Sequence, residues 1–581
     1  MTTDSVLAAA RAWADADPDA TTAAEVRALL EARQLAELED RFSTSLEFGT
    51  AGLRGVLGGG TNRMNRAVVR RTTAGLARYL KATLPDVATR GVVIGRDGRR
   101  FSAEFASDAA AVFAAEGIPA WVFPDFAPTP LTAFAVRHLN AAAGVMVTAS
   151  HNPPEYNGYK VYWGNGAQIV PPHDTGIAKA IDAVGPANGV QLMPEEEARR
   201  KGLFHDVKGA VTRAYLDAIG ALRVSRQTDG LSIVYTAMHG VGGALVLQSL
   251  REAGFTAVAP VPEQQQPDGA FPTVRFPNPE EKGAMDLSTA LAKQLGADLV
   301  LANDPDADRL AVMAKDASGT LTMLTGNEVG VLLGHYLLTE QKTERPLVVT
   351  TIVSSAQLKA IAEAKGARYA ETLTGFKWIA NVAIDEAARG VNFVVGYEEA
   401  LGYSVGPVVR DKDGIGAALV VADMAAWCKA RGKTLFGYLE DVQRAHGLFV
   451  AKQFNATLPG ATGAAAIKAV MEAFRGKPPS TLAGARIVAT NDYQAQTRLE
   501  AGQTKALSLP RSNVIAYELE GGHRVTLRPS GTEPKIKFYF EWREVVGAGE
   551  AMGPAKARAA AKLDALEADF LKLAAERGLP R

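Results

Sequence analysis

Short apolar runs alternate with amphipathic stretches along most of the chain, and the rhythm repeats three times. Residues 4–40, rich in Ala, Leu and Glu at helical spacing, predict an N-terminal helical cap. The first copy runs from the strand Gly91–Asp97 through a helix from Ser102 to about Glu116, the strand Trp121–Phe123, a helix near Pro130–Leu139 and the buried strand Ala142–Val147. A second copy opens at Leu231–Tyr235 and closes at Asp298–Asn303; a third opens at Pro346–Thr350 and closes at Val391–Gly396. Strands alternating with helices at this spacing predict α/β units with mostly parallel strands. Near residue 456 the rhythm breaks, and the chain ends in an Ala-rich helix, Pro554–Glu576, which predicts a fourth domain of α+β type. The expected domains are 1–205 including the cap, 206–320, 321–455 and 456–581.

Each copy closes on a polar loop, where an α/β sheet normally places its site, at the carboxyl ends of strands. Three such loops predict one site assembled between domains. The first is Thr148-Ala149-Ser150-His151-Asn152-Pro153-Pro154, with Lys160 returning a cation. A hydroxyl, an imidazole and an ammonium at a stiff strand end suit a serine that carries a phosphoryl group. The second is Asp304-Pro305-Asp306-Ala307-Asp308-Arg309. Its alternate carboxylates can converge on a hard cation such as Mg²⁺. A calcium loop of the EF-hand kind needs glycine where Arg309 stands. The third pairs Glu398 with Glu399 between glycines, a form suited to accepting hydrogen bonds from sugar hydroxyls.

Further loops add cations. Lys377 sits at a predicted helix start, which favours an anion. Arg54 lies in the glycine-rich Phe48–Gly55. Arg528-Pro529-Ser530-Gly531-Thr532, closed by Lys535, forms a compact anion nest. Gly432-Lys433-Thr434 ends like a P-loop but has Trp427 where the first glycine belongs, and His239 reads equally as a cleft residue or a satisfied structural histidine.

Composition narrows the function class. At 581 residues the chain exceeds the size of one core, about 250–300 residues. Lys plus Arg and Asp plus Glu balance at 63 each, which removes a global electrostatic case for nucleic acid or an acidic membrane. The single cysteine, Cys428, makes no internal disulfide, fits a reducing compartment and reads as buried on a helix. Without an apolar run of 18 residues or a basic N-terminal segment, a cytoplasmic protein is expected.

Taken in order, the loops at Thr148–Pro153, Asp304–Arg309, Glu398–Glu399 and Arg528–Thr532 resemble those of the α-D-phosphohexomutase superfamily, the phosphoglucomutase and phosphomannomutase family, over nearly the whole chain. The resemblance implies three similar mixed α/β domains and a mobile C-terminal α+β domain, related to TATA-box-binding-protein-like folds, around a central cleft. It implies that Ser150 is phosphorylated and that Asp304, Asp306 and Asp308 bind Mg²⁺ together with it. Glu398 and Glu399 match the sugar-recognition loop, while Arg528, Ser530, Gly531, Thr532 and Lys535 match the site of the non-transferring phosphate. Arg54, His151, Lys160 and Lys377 match cleft residues that assist transfer or hold the ligand. The family reaction passes through a sugar bisphosphate, so glucose 1,6-bisphosphate is the expected activator and sugar phosphates the partners, in a monomer or weak dimer.

Ala400 departs from the many phosphoglucomutases that have serine after the Glu-Glu pair, and the long chain resembles the branch holding phosphopentomutases. Glucose phosphate is the first expectation; pentose and mannose phosphates are alternatives. Asp304 and Asp306 after an apolar strand are also similar to the haloacid-dehalogenase pattern, an aspartyl-phosphate phosphatase, but Asp308 breaks it and Ser150 is left without a role. A silent sugar-phosphate sensor is the non-enzyme alternative.

Overall fold

Where the apolar runs stand, buried strands form. The computed structural model describes residues 2–49, 52–228, 230–458, 460–530 and 535–580. It divides into two compact units, Met1–Val329 with Phe376–Leu435, and Gly330–Gly375 with Phe436–Arg581.

The first unit begins with three helices, Thr3–Ala16, Ala20–Glu31 and Leu35–Phe42, over the stretch where a helical cap is expected. Val6, Ala10, Ala14, Val26, Leu38 and Phe42 close a small core of their own. Asp19 starts the second helix by accepting the Thr21 N–H at 2.9 Å, an N-cap of the usual chemistry. The cap is tied on electrostatically: Glu25 accepts the Gly59 N–H at 2.9 Å, and Arg41 donates to Glu25 at 2.8 Å and to the Gly59 carbonyl at 3.1 Å.

The first sheet orders its strands Leu53–Val56, Tyr156–Trp163, Ala143–Val147, Val92–Arg96, Ala120–Val122 and Phe204–Asp206. The last four are parallel and the first two antiparallel. Ala143–Val147 is buried throughout, as a strand covered on both faces must be. The second sheet follows the same plan, with Val258–Pro260, Ile233–Thr236 and Leu299–Ala302 parallel, and Ala311–Lys315 and Leu321–Leu324 antiparallel. In the third copy Asn392–Glu398 pairs antiparallel with Gly402–Val405. All three polar loops thus occupy one topological position, the connection from a copy's closing strand to an antiparallel neighbour. Cys428 is buried, on the helix Gly414–Lys429. Among the described residues no helix is long and apolar enough to cross a membrane.

In the second unit Pro346–Thr351 pairs parallel with Arg368–Thr372. The C-terminal sheet is antiparallel, ordered Leu448–Thr457, Lys535–Glu544, His523–Pro529, Ile515–Leu519, Ala485–Asp492, Thr497–Glu500 and Gln503–Ala506. Helices Gly460–Gly476 and Met552–Glu576 contribute to its core, where Phe570 packs its ring against Phe474, Phe538 and Phe540 at centroid distances of 5.0, 5.3 and 5.6 Å. The alternation of apolar and polar residues along these strands gives the expected α+β character.

His523 in this sheet stacks on Trp542 at 3.4 Å, and its Nδ1 accepts the Arg543 N–H at 3.1 Å. Burial, with Lys562 beside it, pulls its pKa down to about 4. The folded state therefore favours neutral imidazole, and its contribution is complete above the ordinary histidine pKa and lost as pH falls from about 6.5 toward 4. Discounted for partial burial, the loss is about 1–2 kcal/mol. A urea midpoint followed by tryptophan fluorescence should fall over this range, and His523→Phe should flatten that part of the slope.

Candidate active site

The all-buried strand Ala143–Val147 delivers Ser150 to a constrained loop. Ser150 has φ +52°, a left-handed conformation that costs a non-glycine residue about 1 kcal/mol or more. Its N–H donates to Thr148 Oγ1 at 2.8 Å, and its hydroxyl donates to Asp304 Oδ2 at 2.9 Å. His151 Nδ1 lies 3.2 Å from the same hydroxyl.

The aspartate loop is held from several sides. The Asn303 amide donates to the Arg309 carbonyl at 2.6 Å and accepts from the Tyr235 hydroxyl at 3.0 Å. Arg309 N–H donates to Asp304 Oδ1 at 3.0 Å, and the Thr129 hydroxyl to Asp306 Oδ2 at 2.6 Å. Asp304, Asp306 and Asp308 are all buried, and each offers an oxygen within 4.8 Å of the others. Lys160 Nζ bridges Asp306 at 2.7 Å and Asp308 at 2.9 Å, while Lys412 Nζ reaches Asp308 at 3.2 Å. One oxygen each of Asp306 and Asp308 is buried with no hydrogen-bond partner. Unsatisfied buried carboxylate oxygens are costly, and three oxygen donors converging this closely fit a hard cation.

Electrostatics differ sharply within the trio. Burial, then the Asp306 and Asp308 charges, push Asp304 well above the usual carboxylate range. Burial also opposes ionisation of Asp308, but Lys160, Lys412 and Arg309 outweigh it and hold that carboxyl far below its ordinary value. Lys160 is raised because Asp306 and Asp308 more than offset its burial, so it stays an ammonium. His151 is driven well below its ordinary value by burial and by Arg309 and Arg54.

The remaining predicted residues divide between the two units. Arg54, on the strand paired with Tyr156–Trp163, donates to Asn152 Oδ1 at 3.0 Å, which brings it to the Ser150 loop. Glu398 and Glu399 sit half-buried at the hairpin turn, and Leu310 N–H donates to the Leu401 carbonyl at 3.0 Å, joining this turn to the aspartate loop. Gly326 lies so close beneath the turn that a Cβ there would stand 1.9 Å from the Glu399 carbonyl. Lys377 opens the helix Phe376–Ala387 with its ammonium 5.6 Å from the Trp378 ring. In the second unit Arg528 lies on the strand His523–Pro529, and Ser530 N–H donates to the Lys535 carbonyl at 2.7 Å. Gly531 and Thr532 lie outside the described residues. His239 is a structural histidine, bonded to Thr273 Oγ1 at 2.9 Å.

Sequence reasoning missed Arg99, Thr129 and Lys412. Arg99 follows an apolar strand within Asp97-Gly98-Arg99-Arg100, so the strand-end rule used for the other loops finds it. Lys412 and Thr129 carry no comparable local signal.

The sequence matches, in order, the four family domains described as Phosphoglucomutase/phosphomannomutase alpha/beta/alpha domain I at residues 45–187, domain II at 213–319, domain III at 325–445 and the C-terminal domain at 458–548. The chain belongs to the phosphoglucomutase/phosphomannomutase family. It is 41% identical over 484 residues to a probable phosphomannomutase of Haemophilus influenzae, covering 83% of this chain and 93% of that protein. It is 38% identical over 556 residues to a phosphopentomutase of Homo sapiens, covering 91% and 90%. It is 37% identical over 507 residues to a phosphoglucomutase of Staphylococcus epidermidis, covering 87% and 92%. As a member of this family the protein is a phosphomutase, an enzyme of the isomerase class.

Proposed function

We propose that the chain is a phosphoglucomutase, interconverting glucose 1-phosphate and glucose 6-phosphate through phosphorylated Ser150 and glucose 1,6-bisphosphate. One observation carries the reading: the Ser150 hydroxyl lies 2.9 Å from an aspartate of a buried, partly unsatisfied carboxylate trio. A phosphorylated Ser150 gives its phosphoryl group to the free hydroxyl oxygen of the monophosphate. The P–O bond to the serine breaks, and Oγ regains a proton as the sugar hydroxyl loses one. The bisphosphate turns around, returns its other phosphoryl group to Ser150, and leaves as the isomer.

Such transfer rests on alignment and charge neutralisation. Mg²⁺ held by Asp304, Asp306, Asp308 and the phosphorylated serine supplies neutralisation of the phosphoryl oxygens when bound. Lys160, kept charged by two aspartates, adds a fixed cation, and Arg54 adds another. His151 is within reach of Oγ to exchange its proton. Glu398 and Glu399 accept sugar hydroxyls and Lys377 meets the ligand's anionic end; in the second unit the role of Arg528, Ser530, Gly531, Thr532 and Lys535 is to bind a phosphate group. The reaction is placed in the cytoplasm.

A pentose reading is favoured by Ala400, which removes a hydroxyl from the sugar loop, and by the phosphopentomutase relative. Purified enzyme with Mg²⁺ and a bisphosphate primer, assayed on glucose, mannose, ribose and deoxyribose 1-phosphates, tests the choice. The highest kcat/KM is expected on glucose 1-phosphate. A tenfold or greater preference for a pentose phosphate, on the order of 1.4 kcal/mol in transition-state binding, overturns that assignment.

A further inference from the structure

We propose that Arg99 is the positioning residue that sets the Ser150 loop for phosphoryl transfer, an inference that rests on the phosphoserine reading above. One guanidinium gathers four carbonyls of this loop and the strand it enters. Nη2 donates to Ser150 at 2.6 Å and to Asn152, and Nη1 donates to Pro153 at 2.8 Å and to Tyr156 at 3.2 Å. Other bonds hold the loop at single points: Ser150 N–H to Thr148, Ser150 Oγ to Asp304, Arg54 to Asn152 Oδ1, Arg100 to the Pro154 carbonyl and Leu57 N–H to the Glu155 carbonyl. Pro153 and Pro154 bring no N–H, and the backbone bonds within it are Asn152 N–H to Ala149 and Tyr156 N–H to Pro153, each 3.1 Å.

Arg99 is itself immobilised. Its side chain and that of Asp97 are entirely buried, with Nε 3.3 Å from Asp97 Oδ2. The other Asp97 oxygen accepts the Arg99 N–H at 3.0 Å and the Ser102 hydroxyl at 2.7 Å. Phe271 covers the guanidinium, 4.9 Å from its ring centroid, and Gly269 packs so tightly that a Cβ would stand 2.6 Å from the Gly98 carbonyl. Among the described residues the Arg99 Nη atoms donate to loop carbonyls, with no hydrogen bond to the Ser150 hydroxyl or the aspartate trio. Its effect passes through the backbone at the residue with positive φ, where surroundings must enforce the conformation. A planar fork serves several acceptors at fixed angles, which an ammonium does not.

The test uses full-length Arg99→Lys with Mg²⁺ and glucose 1,6-bisphosphate, and Asp97→Asn as a second variant that loosens the arginine without removing it. Ser150 phosphorylation is counted by phosphopeptide mass spectrometry, beside kcat and KM for glucose 1-phosphate. Misplacement of the reacting oxygen should lower the rate per phosphorylated Ser150 about 10- to 100-fold in Arg99→Lys, with a smaller loss in Asp97→Asn and KM within about twofold. Wild-type rates per phosphoserine in the variants that fold overturn the proposal, as does a rate loss that only tracks loss of phosphorylatable protein. If the wild-type enzyme neither labels at Ser150 nor turns over, the phosphoserine reading fails instead.

Discussion

Alanine at position 150 is expected to reduce mutase turnover on the order of 10⁴-fold or more, the scale of losing a nucleophile from a covalent route. The reasoning starts from a single oxygen. Ser150 Oγ sits beside Asp304, and among the described residues no other hydroxyl bonds that carboxylate. The substitution keeps the loop's backbone demands, because alanine and serine bear the left-handed conformation at similar cost. Arg99 still finds its carbonyls, so the variant should fold and bind sugar phosphate. Turnover of glucose 1-phosphate in a coupled assay, alongside calorimetric binding of the same ligand, separates lost chemistry from lost structure. Activity within tenfold of wild type would sink the phosphoserine mechanism.

Lys160→Met is expected to be the most damaging change to the aspartate cluster. The lysine is buried and bridges two carboxylates at 2.7 and 2.9 Å. Methionine fills much of the same space but leaves those charges to Lys412, Arg309 and Arg54. Removing one partner from a buried ion cluster costs about 3–5 kcal/mol. A divalent cation supplies the missing charge and binds the folded state only, so Mg²⁺ should recover more stability in the variant than in the parent. Thermal melts in chelator and in millimolar Mg²⁺ measure both effects. A gap between variant and parent that is equal in the two buffers would show that the lysine and the metal do not share a site.

Ser150 and the aspartate trio were legible in the sequence because their chemistry is local. Ser150 with His151, and three aspartates at alternate positions, announce themselves within a few residues of a strand end. Their partners are spread along the chain. Lys160 meets the trio only because Tyr156–Trp163 pairs antiparallel with Ala143–Val147 so that Lys160 lies opposite Met146. A one-residue slip would turn the ammonium to the other face of the sheet, and nothing in the local pattern fixes that register. The same holds for Lys412, which reaches Asp308 from another element, and for Thr129, which reaches Asp306 from a helix start. The strand and helix rhythm was readable from apolar spacing, whereas the antiparallel strands that turn each loop into a hairpin were not. They follow loops whose polar character hides where the ladder resumes.

That hairpin arrangement makes the three tools separable. Each is a brief crossing whose stems are pinned by backbone bonding, so its side chains can drift while the framework keeps its registration. The residues between Glu398 and Gly402 form the smallest exchangeable piece, seated on Gly326 and joined to the aspartate crossing by the backbone bond from Leu310 to Leu401. Grafting that short turn from a relative of different sugar preference is the economical route to retargeting the enzyme, because the phosphorus-handling parts need not be rebuilt.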